Sequence, residues 1–307
     1  MKCEACRQNA IISSSNGTFC VDHFKSNFEK ITLSTIKKYK LINDGETIAV
    51  ANSGGKDSLS LLYIIAKYFK KKNSIISITI DEGIKGYRDK TIETMKTYCD
   101  AWGVTYKIYS YGDFAGATMD AITKLKPGIP CGTCGVLRRH MLNFSAAENR
   151  ADKMATAHNM DDEAENVMMN LFQNDFEKLI RLGPISGISQ YKGFVPRIKP
   201  FMFISEKETM LFSMVNGINA LHTPCPYAGL GFRGVISRKI KELESEMPGS
   251  KRYMLDLMME LKREYSDSYV ENPRSQLVNC AACGAPASEE ICEACNVKMQ
   301  IKRLKPN

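Results

Sequence analysis

A short glycine-rich stretch, SGGKDS at residues 53–58, has the composition of a loop that holds phosphate groups. Its two glycines let backbone N–H groups approach an anion closely, and Lys56 adds a positive charge. The stretch differs from a Walker A loop, because Val50 stands where the first glycine is required and Asp57 replaces the closing hydroxyl. It therefore predicts a nucleotide-binding loop of another class.

Two sets of metal-ligating residues, one near each end of the chain, have the spacing of structural zinc sites. The first set combines a C-x2-C pair with a C-x2-H pair, and the second combines two C-x2-C pairs. Each set offers four ligands in two short hooks, as a tetrahedral Zn²⁺ requires, and would stabilise a segment too small for its own core. The predicted ligands of the two Zn²⁺ ions are Cys3, Cys6, Cys20 and His23, and Cys280, Cys283, Cys292 and Cys295.

The remaining cysteines divide into two kinds. Cys99 falls in a predicted helix, where a cysteine acts as a small buried apolar side chain. Cys131 and Cys134 lie in a predicted loop that opens a basic helix, and Cys225 lies in a second loop between two prolines. Three loop cysteines are one ligand short of a zinc site. Their spacing fits both an iron–sulfur cluster with one open iron and a dithiol redox pair beside an unrelated cysteine.

Alternating strands and helices must position these groups. The predicted strands cover residues 47–52, 74–80, 104–109 and 153–158, and the predicted helices cover 58–69, 88–102, 114–125, 137–149 and 161–172. Such alternation is typical of a parallel sheet with helices on both faces. The predicted fold is therefore α/β, a Rossmann-like nucleotide-binding domain with a zinc-binding segment at each end.

The carboxyl ends of the predicted strands bring three segments together, and nucleotides bind parallel sheets at this edge. SGGKDS follows the first strand, Asp81 ends the second, and residues 157–162 (AHNMDD) follow a later one. Phosphates would lie against the first N–H groups of the helix after SGGKDS. Asp161 and Asp162 suit either the acidic start of a helix or a magnesium or catalytic role on this rim.

Composition restricts the class of protein and its partners. The chain has 307 residues and a net charge of +8, which favours a polyanionic partner such as nucleic acid. No apolar run approaches the ~20 residues of a membrane span, and the N-terminus lacks the apolar core of a signal peptide. We therefore expect a cytoplasmic protein without a membrane partner, in which cysteines bind metals rather than form disulfides.

Together these motifs resemble those of the archaeal and eukaryotic tRNA 2-thiolation proteins, which modify the wobble uridine, and of the related uridine-54 2-sulfurtransferases. Both groups belong to the ATP-pyrophosphatase (PP-loop) superfamily. The resemblance covers nearly the whole chain in the same order. It includes the terminal cysteine sets, SGGKDS, IDEGIKGYR (80–88), PCGTCGVLRR (130–139), AHNMDDEAENVMMNL (157–171) and TPCPYA (223–228).

The resemblance implies a role for each matching residue. The pyrophosphate loop would comprise Ser53, Gly54, Gly55, Lys56, Asp57 and Ser58. The rest of the nucleotide site would include Ala51, Asp81 and His158, with Arg138 near the phosphates. A catalytic aspartate is expected at Asp161 or Asp162. Cys131, Cys134 and Cys225 would hold a [4Fe–4S] cluster, with ATP and Mg²⁺ as further cofactors beside the two Zn²⁺ ions.

The implied function is ATP-dependent adenylation of the uridine C2 oxygen in tRNA, followed by sulfur transfer from a cluster-bound sulfide, at uridine 34. The sulfur donor would be a ubiquitin-like sulfur carrier or free sulfide, and the protein a homodimer. Alternatives are uridine 54 as target, a cysteine persulfide route, a cytidine-thiolating or lysidine-forming enzyme, and a non-catalytic zinc-ribbon RNA-binding subunit.

The same motifs predict four segments. They are an N-terminal zinc finger (1–30), the PP-loop domain (31–215), a helical extension with Cys225 and a basic RNA-binding surface (216–274), and a C-terminal zinc ribbon with a basic tail (275–307).

Overall fold

The computed structural model describes residues 1–125, 130–186, 193–221, 223–228, 231–270 and 277–304. The chain opens with a hairpin of β1 (Ile12–Ser14) and β2 (Gly17–Phe19), followed by α1 (Val21–Lys38). Helix α1 runs through the predicted segment boundary after residue 30. The predicted boundary between residues 274 and 275 lies outside the described residues.

The next part of the chain alternates between strands and helices. The elements are β3 (Thr47–Ala51), α2 (Lys56–Phe69), β4 (Ser74–Asp81), α3 (Arg88–Trp102), β5 (Thr105–Ser110), α4 (Tyr111–Ala115), α5 (Met119–Leu125), α6 (Pro130–Glu148), β6 (Lys153–Ala155) and α7 (Met160–Phe172). All the predicted strands and helices of this region are present. Strand β6 ends three residues before its predicted end, and α6 begins well before its predicted start.

The remaining elements are mostly helical. They are α8 (Phe176–Ile180), β7 (Ile185–Ser186), β8 (Arg197–Ile198), α9 (Glu206–Val215), α10 (Phe232–Glu246), α11 (Ser250–Val270), β9 (Val278–Asn279), β10 (Pro286–Ala287) and α12 (Glu293–Leu304). Among the described residues, no helix combines the length and the apolar character that a membrane span needs.

The central sheet has the strand order β5-β4-β3-β6-β8-β7. The first five strands of this order pair in parallel, which confirms the predicted α/β architecture, and β7 pairs antiparallel with β8 at one edge. The central strand β3 is buried on both faces and reads as a continuous apolar run, whereas the edge strand β5 is largely exposed. The carboxyl ends of β3, β4 and β6 lie side by side, as a nucleotide site on this fold requires.

Apolar layers cover both faces of the sheet. On β3, Ile48 and Val50 pack with α1 and α2, whereas Ala49 between them points to the opposite face. That opposite face packs on α6, through Leu137 and Met141, and the C-terminal segment joins the same layer. The helix that carries two of the candidate site cysteines is therefore held between the sheet and the C-terminal segment.

A buried ion pair joins α7 to the residue that follows β8. Lys199 Nζ is 2.8 Å from both carboxylate oxygens of Glu163, and the two side chains are 7% and 0% exposed. Removing one partner of such a pair leaves an uncompensated buried charge, which is more destabilising than the loss of a surface pair.

We expect K199M to lower the free energy of unfolding by about 3–5 kcal/mol, because Glu163 stays buried without its cation. K72M is the matched control. Lys72 pairs with Asp44 on the surface, where the side chains are 66% and 70% exposed, so that its loss should cost about 1 kcal/mol or less. Urea unfolding of the wild type, K199M and K72M measures the loss of unfolding free energy in each variant. Equal midpoints for K199M and K72M would contradict the expectation.

Candidate active site

The SGGKDS loop joins β3 to α2 and is held by contacts that require its first glycine. Gly54 has φ +76°, and a Cβ at this position would stand 2.0 Å from the Thr91 carbonyl oxygen of α3. The buried Asn52 side chain accepts hydrogen bonds from Gly54 N (2.9 Å) and Ser58 Oγ (3.0 Å). The loop thus packs closely against α3 and is held by the side chain of Asn52.

The loop leaves the start of α2 open to an anion. Gly55 is the N-cap residue of α2, and no described side chain caps this end. The first N–H groups of a helix have no partner within it and carry the positive end of its dipole. The Ser58 hydroxyl is part of the loop scaffold, because it also accepts from Ser53 N at 3.1 Å. The geometry supports phosphate binding by the backbone.

The charged residues of the loop connect it to α9. Lys56 Nζ lies 2.8 Å from Asp57 Oδ2 and 3.4 Å from Glu206 Oε1. Burial disfavours the charged form of Lys56, but the two carboxylates outweigh burial and raise the Lys56 pKa. The other Asp57 oxygen accepts a hydrogen bond from Thr209. Lys56 therefore stays charged at the position where a nucleotide would place its phosphates.

The acidic residues at the start of α7 take part in the capping of this helix. Asn159 is the N-cap residue, and its side chain accepts from Asp161 N (3.0 Å) and Asp162 N (3.2 Å). Asp162 Oδ2 in turn accepts from Asn159 N at 3.1 Å, which completes a capping box. The predicted helix start is confirmed, and the capping geometry directs the two aspartates differently.

Asp161 faces the packed helices, whereas Asp162 faces the rim. Asp161 Oδ1 lies 2.5 Å from Lys251 Nζ, and Oδ2 accepts from Glu206 N at 2.8 Å, so both oxygens hold α9 and α11. Asp162 Oδ1 lies 2.9 Å from Arg233 Nη2, and burial raises the Asp162 pKa to about 6. Of the two, Asp162 is the more exposed: its side chain is 33% accessible, against 11% for Asp161, although both of its oxygens have partners.

The other predicted nucleotide residues end the central strands. Ala51 is the last residue of β3 and is half-buried. Asp81 ends β4 and accepts from Gly83 N at 2.8 Å, which closes the turn that follows. His158, beyond β6, is exposed and has Nδ1 2.9 Å from Thr156 Oγ1. All three lie at the same edge as the loop, and their contact with a nucleotide stays a prediction.

The three candidate cluster cysteines come from two segments that touch. Helix α6 begins at Pro130, so Cys131 and Cys134 lie in its first turns and not in the predicted loop. A spacing of three residues on a helix places them on one face. Cys131 Sγ lies 3.2 Å from the Tyr227 carbonyl oxygen, so the segment with Cys225 packs on the start of α6. Cys134 and Cys225 contact the same apolar layer.

The terminal sets and the three cysteines differ in size. Among the described residues, only the two terminal sets have four ligand atoms within 4.8 Å of one another. Within the part of the chain that the structure describes, the sulfurs of the three cysteines do not all lie within 4.8 Å of one another, so they do not form a single-ion set of this size. Their role as ligands of an iron–sulfur cluster stays a prediction.

The terminal sets have the dimensions of single-ion sites. Cys6 Sγ and Cys20 Sγ are 3.7 Å apart, as are Cys3 Sγ and His23 Nδ1. In the C-terminal set, the sulfurs of Cys283 and Cys292 are 3.8 Å apart. A tetrahedron with Zn–S bonds of about 2.3 Å separates its ligands by about 3.8 Å. Both sets could hold a metal ion without rearrangement.

Sequence reasoning predicted Arg138 as a site residue but missed its contact with Cys134 and the roles of Tyr111, Glu82 and Arg88 around it. Tyr111 donates to the Cys134 carbonyl oxygen at 2.8 Å, and Arg138 Nη2 lies 3.3 Å from Cys134 Sγ. Arg138 Nε also pairs with Glu82 Oε1 at 2.9 Å, and Arg88 Nε pairs with Glu82 Oε2 at 2.6 Å. Glu82 and Arg88 lie within the motif IDEGIKGYR, but their spacing alone carries no sign of this pairing.

Known proteins are similar to this chain along most of its length. A family model for the PP-loop domain matches residues 23–219. Cytoplasmic tRNA 2-thiolation protein 1 of Danio rerio is 33% identical over 100% of this chain and 90% of its own length. The tRNA-5-methyluridine(54) 2-sulfurtransferase of Pyrococcus horikoshii is 32% identical over 96% of this chain and 93% of its own.

A solved structure extends the likeness to three dimensions. The U34-tRNA thiolase NcsA from Methanococcus maripaludis, with its [4Fe-4S] cluster, superposes with a TM-score of 0.76 and 34% sequence identity. The match covers 86% of this chain and 88% of that one. With its PP-loop domain, its terminal metal-ligand sets and these relatives, the chain belongs to the tRNA 2-thiolation proteins of the PP-loop family.

Proposed function

We propose that the chain is a tRNA uridine 2-sulfurtransferase that uses ATP, Mg²⁺ and a [4Fe–4S] cluster and acts on uridine 34. One observation carries the proposal: the SGGKDS loop follows β3, and the helix with Cys131 and Cys134 contacts the residues that follow β4 and β5, so both lie at the same edge of the sheet. The relative solved with a [4Fe-4S] cluster, which is named for uridine 34, supports both the cofactor and the target.

The loop serves the activation step. The uridine C2 oxygen is a poor leaving group until it attacks the α-phosphate of ATP and becomes bonded to AMP, with release of pyrophosphate. The N–H groups at the start of α2 and the Lys56 ammonium would hold the departing pyrophosphate. Mg²⁺ on the phosphates would offset further charge. Ala51, Asp81 and His158 would border the nucleotide, and Asp162 would supply the catalytic carboxylate.

The cysteines serve the second step. Cys131, Cys134 and Cys225 would hold the cluster, which supplies an iron with an open position for sulfide when it is bound. A C–S bond forms at C2 as the C2–O2 bond breaks, and AMP leaves with the oxygen. Arg138, which touches the Cys134 sulfur, would stabilise the negative charge that develops on this oxygen. The target base must be turned out of its stack to expose C2.

The remaining elements would bind partners and support the fold. Zn²⁺ in each terminal set would stabilise the two end segments. The net charge of +8 suits a tRNA backbone, and we infer that the helices α10 and α11 contribute to the surface that contacts it. A sulfur carrier or free sulfide would supply sulfur, and the protein would act in the cytoplasm as a homodimer. The relatives named cytoplasmic support this location.

The target uridine can be tested directly. In a strain that lacks this protein, mass spectrometry of position-mapped tRNA nucleosides should show the loss of 2-thiouridine derivatives at position 34 and unchanged thiolation at position 54. Expression of the wild-type chain should restore them. Loss at position 54 instead would contradict the proposed target and leave the reaction class intact.

Substitution of Asp162 should mainly lower the rate of the reaction, whereas substitution of Asp161 should mainly lower stability. We expect D162N to lower the rate of tRNA-dependent AMP formation by roughly a hundredfold, because the proposed catalytic carboxylate is removed. The loss of stability should be small, because the amide oxygen of Asn can still accept from Asn159 N in the capping box. D161N should instead lower the unfolding free energy, because the buried Lys251 loses its partner, with a smaller loss of rate per folded molecule. Full AMP formation by D162N would contradict the assignment.

The cluster ligand Cys225 can be separated from a cysteine that serves packing. Anaerobically purified C225A should lose iron and tRNA thiolation, because an iron of the cluster loses its protein ligand. C99A is the control, since Cys99 is fully buried in α3 and contacts Met95 rather than the site cysteines. Iron and sulfide analysis and thiolation assays provide the readouts. Full activity of iron-free C225A would contradict the cluster mechanism.

A further inference from the structure

A single buried carboxylate lies between the pyrophosphate loop and the cysteine helix. Glu82, the first residue after β4, is 4% exposed. One of its oxygens pairs with Arg88 of α3 and the other with Arg138 of α6. Two guanidinium groups thus share one buried carboxylate, and these three residues form the Glu82 bridge. None of its contacts is explained by strand pairing or helix capping.

The Arg88 end of the bridge has three uncharged acceptors besides Glu82. Arg88 is 3% exposed, and its Nη1 donates to the Ser53 carbonyl oxygen at 2.8 Å and to Thr91 Oγ1 at 3.0 Å. Its Nη2 donates to the Ile80 carbonyl oxygen at 2.5 Å. These three acceptors hold Arg88 behind the pyrophosphate loop. If Glu82 lost its charge, the loop would keep this support.

The orientation of the Arg138 side chain depends strongly on Glu82. The Arg138 side chain is 48% exposed on α6, and within the described part of the chain its polar partners are Glu82 and the Cys134 sulfur. A long side chain on an exposed helix face has many rotamers, and fixing it requires a strong partner. The buried oxygen of Glu82, 2.9 Å from Arg138 Nε, is that partner. Without it, the N–H group at Cys134 would not be held.

We propose that Glu82 is a positioning residue for the sulfur-transfer step, which holds the Arg138 guanidinium against the sulfur of Cys134. This inference rests on the proposed function, in which Cys134 is a cluster ligand. Partners of metal ligands fix the orientation of those ligands, and their loss lowers metal affinity or activity by roughly tenfold to a hundredfold. Hydrogen bonds to the ligand sulfurs also set the reduction potential of an iron–sulfur cluster.

The proposal separates the two half-reactions. Because Arg88 keeps its own acceptors, ATP binding should be insensitive to Glu82. Because Arg138 loses its ion-pair partner when Glu82 is replaced, thiolation and the properties of the cluster should be sensitive to changes at Glu82. A general loss of folding would instead affect ATP binding, thiolation and stability together.

The test is E82Q, which keeps the shape of the side chain and removes its charge. We expect the thiolation rate to fall by roughly tenfold to a hundredfold. The affinity of the cluster-free, zinc-loaded protein for ATP should be unchanged. The reduction potential of the reconstituted cluster should become more negative, because a positively charged hydrogen-bond donor leaves the ligand sulfur.

R138M keeps the proposal testable if E82Q folds poorly, because Arg138 is half-exposed. It should reproduce the change in reduction potential with near-native stability. In the R138M background, E82Q should cause no further change in potential, since residues that act through one another are not additive. E163Q is the matched control: it removes a buried carboxylate that pairs with Lys199, and it should lower stability without changing the potential.

Three outcomes would overturn the proposal. An E82Q protein with the wild-type thiolation rate and potential would show that Glu82 does not act on Cys134. The proposal also fails if R138M leaves the potential unchanged, or if E82Q changes it equally with and without Arg138. A wild-type protein that neither holds iron nor thiolates tRNA would overturn the proposed function itself, which these variants distinguish from failure of Glu82 alone.

Discussion

The site depends on the close approach of Gly54 to the backbone of α3. Because a Cβ at Gly54 would stand 2.0 Å from the Thr91 carbonyl oxygen, only glycine lets the loop lie this near the helix. That proximity brings Arg88, one turn earlier in α3, within reach of the Ser53 carbonyl oxygen. The absence of a side chain at Gly54 therefore allows both the position of the loop and the placement of the Glu82 bridge.

A second set of contacts fixes the opposite side of the site. Asp161 joins α7 to the first residue of α9 and to Lys251 of α11, and Glu206 in turn lies near Lys56. The helices beyond the sheet thus hold the phosphate loop as well as cover the core. This explains why two adjacent aspartates can have different tasks: the capping box of α7 turns one inward and leaves the other at the rim.

Much of this could be predicted from the sequence, because local rules determine it. Apolar runs between helical patterns predicted the parallel sheet, and short ligand spacings predicted the terminal metal sets that the structure brings together. The misplaced start of α6 arose because Pro130 and two glycines read as a loop, although proline suits the first turn of a helix. The Glu82 bridge could not be predicted from the sequence. Glu82 and Arg138 are 56 positions apart in the chain, and only tertiary packing brings them together.

The packing of α6 links the candidate cluster cysteines to a terminal metal-ligand set with which they share no residue. One side of this helix presents Cys131 and Cys134, and α12, which carries Cys295 of the C-terminal set, packs against the helix. If the C-terminal set holds Zn²⁺, as proposed, a chain starved of zinc would lose the packing of α12 against its cysteine helix. Scarcity of one metal would then appear as a defect in the chemistry of another, so undermodified tRNA would report on zinc supply as well as on iron and sulfur.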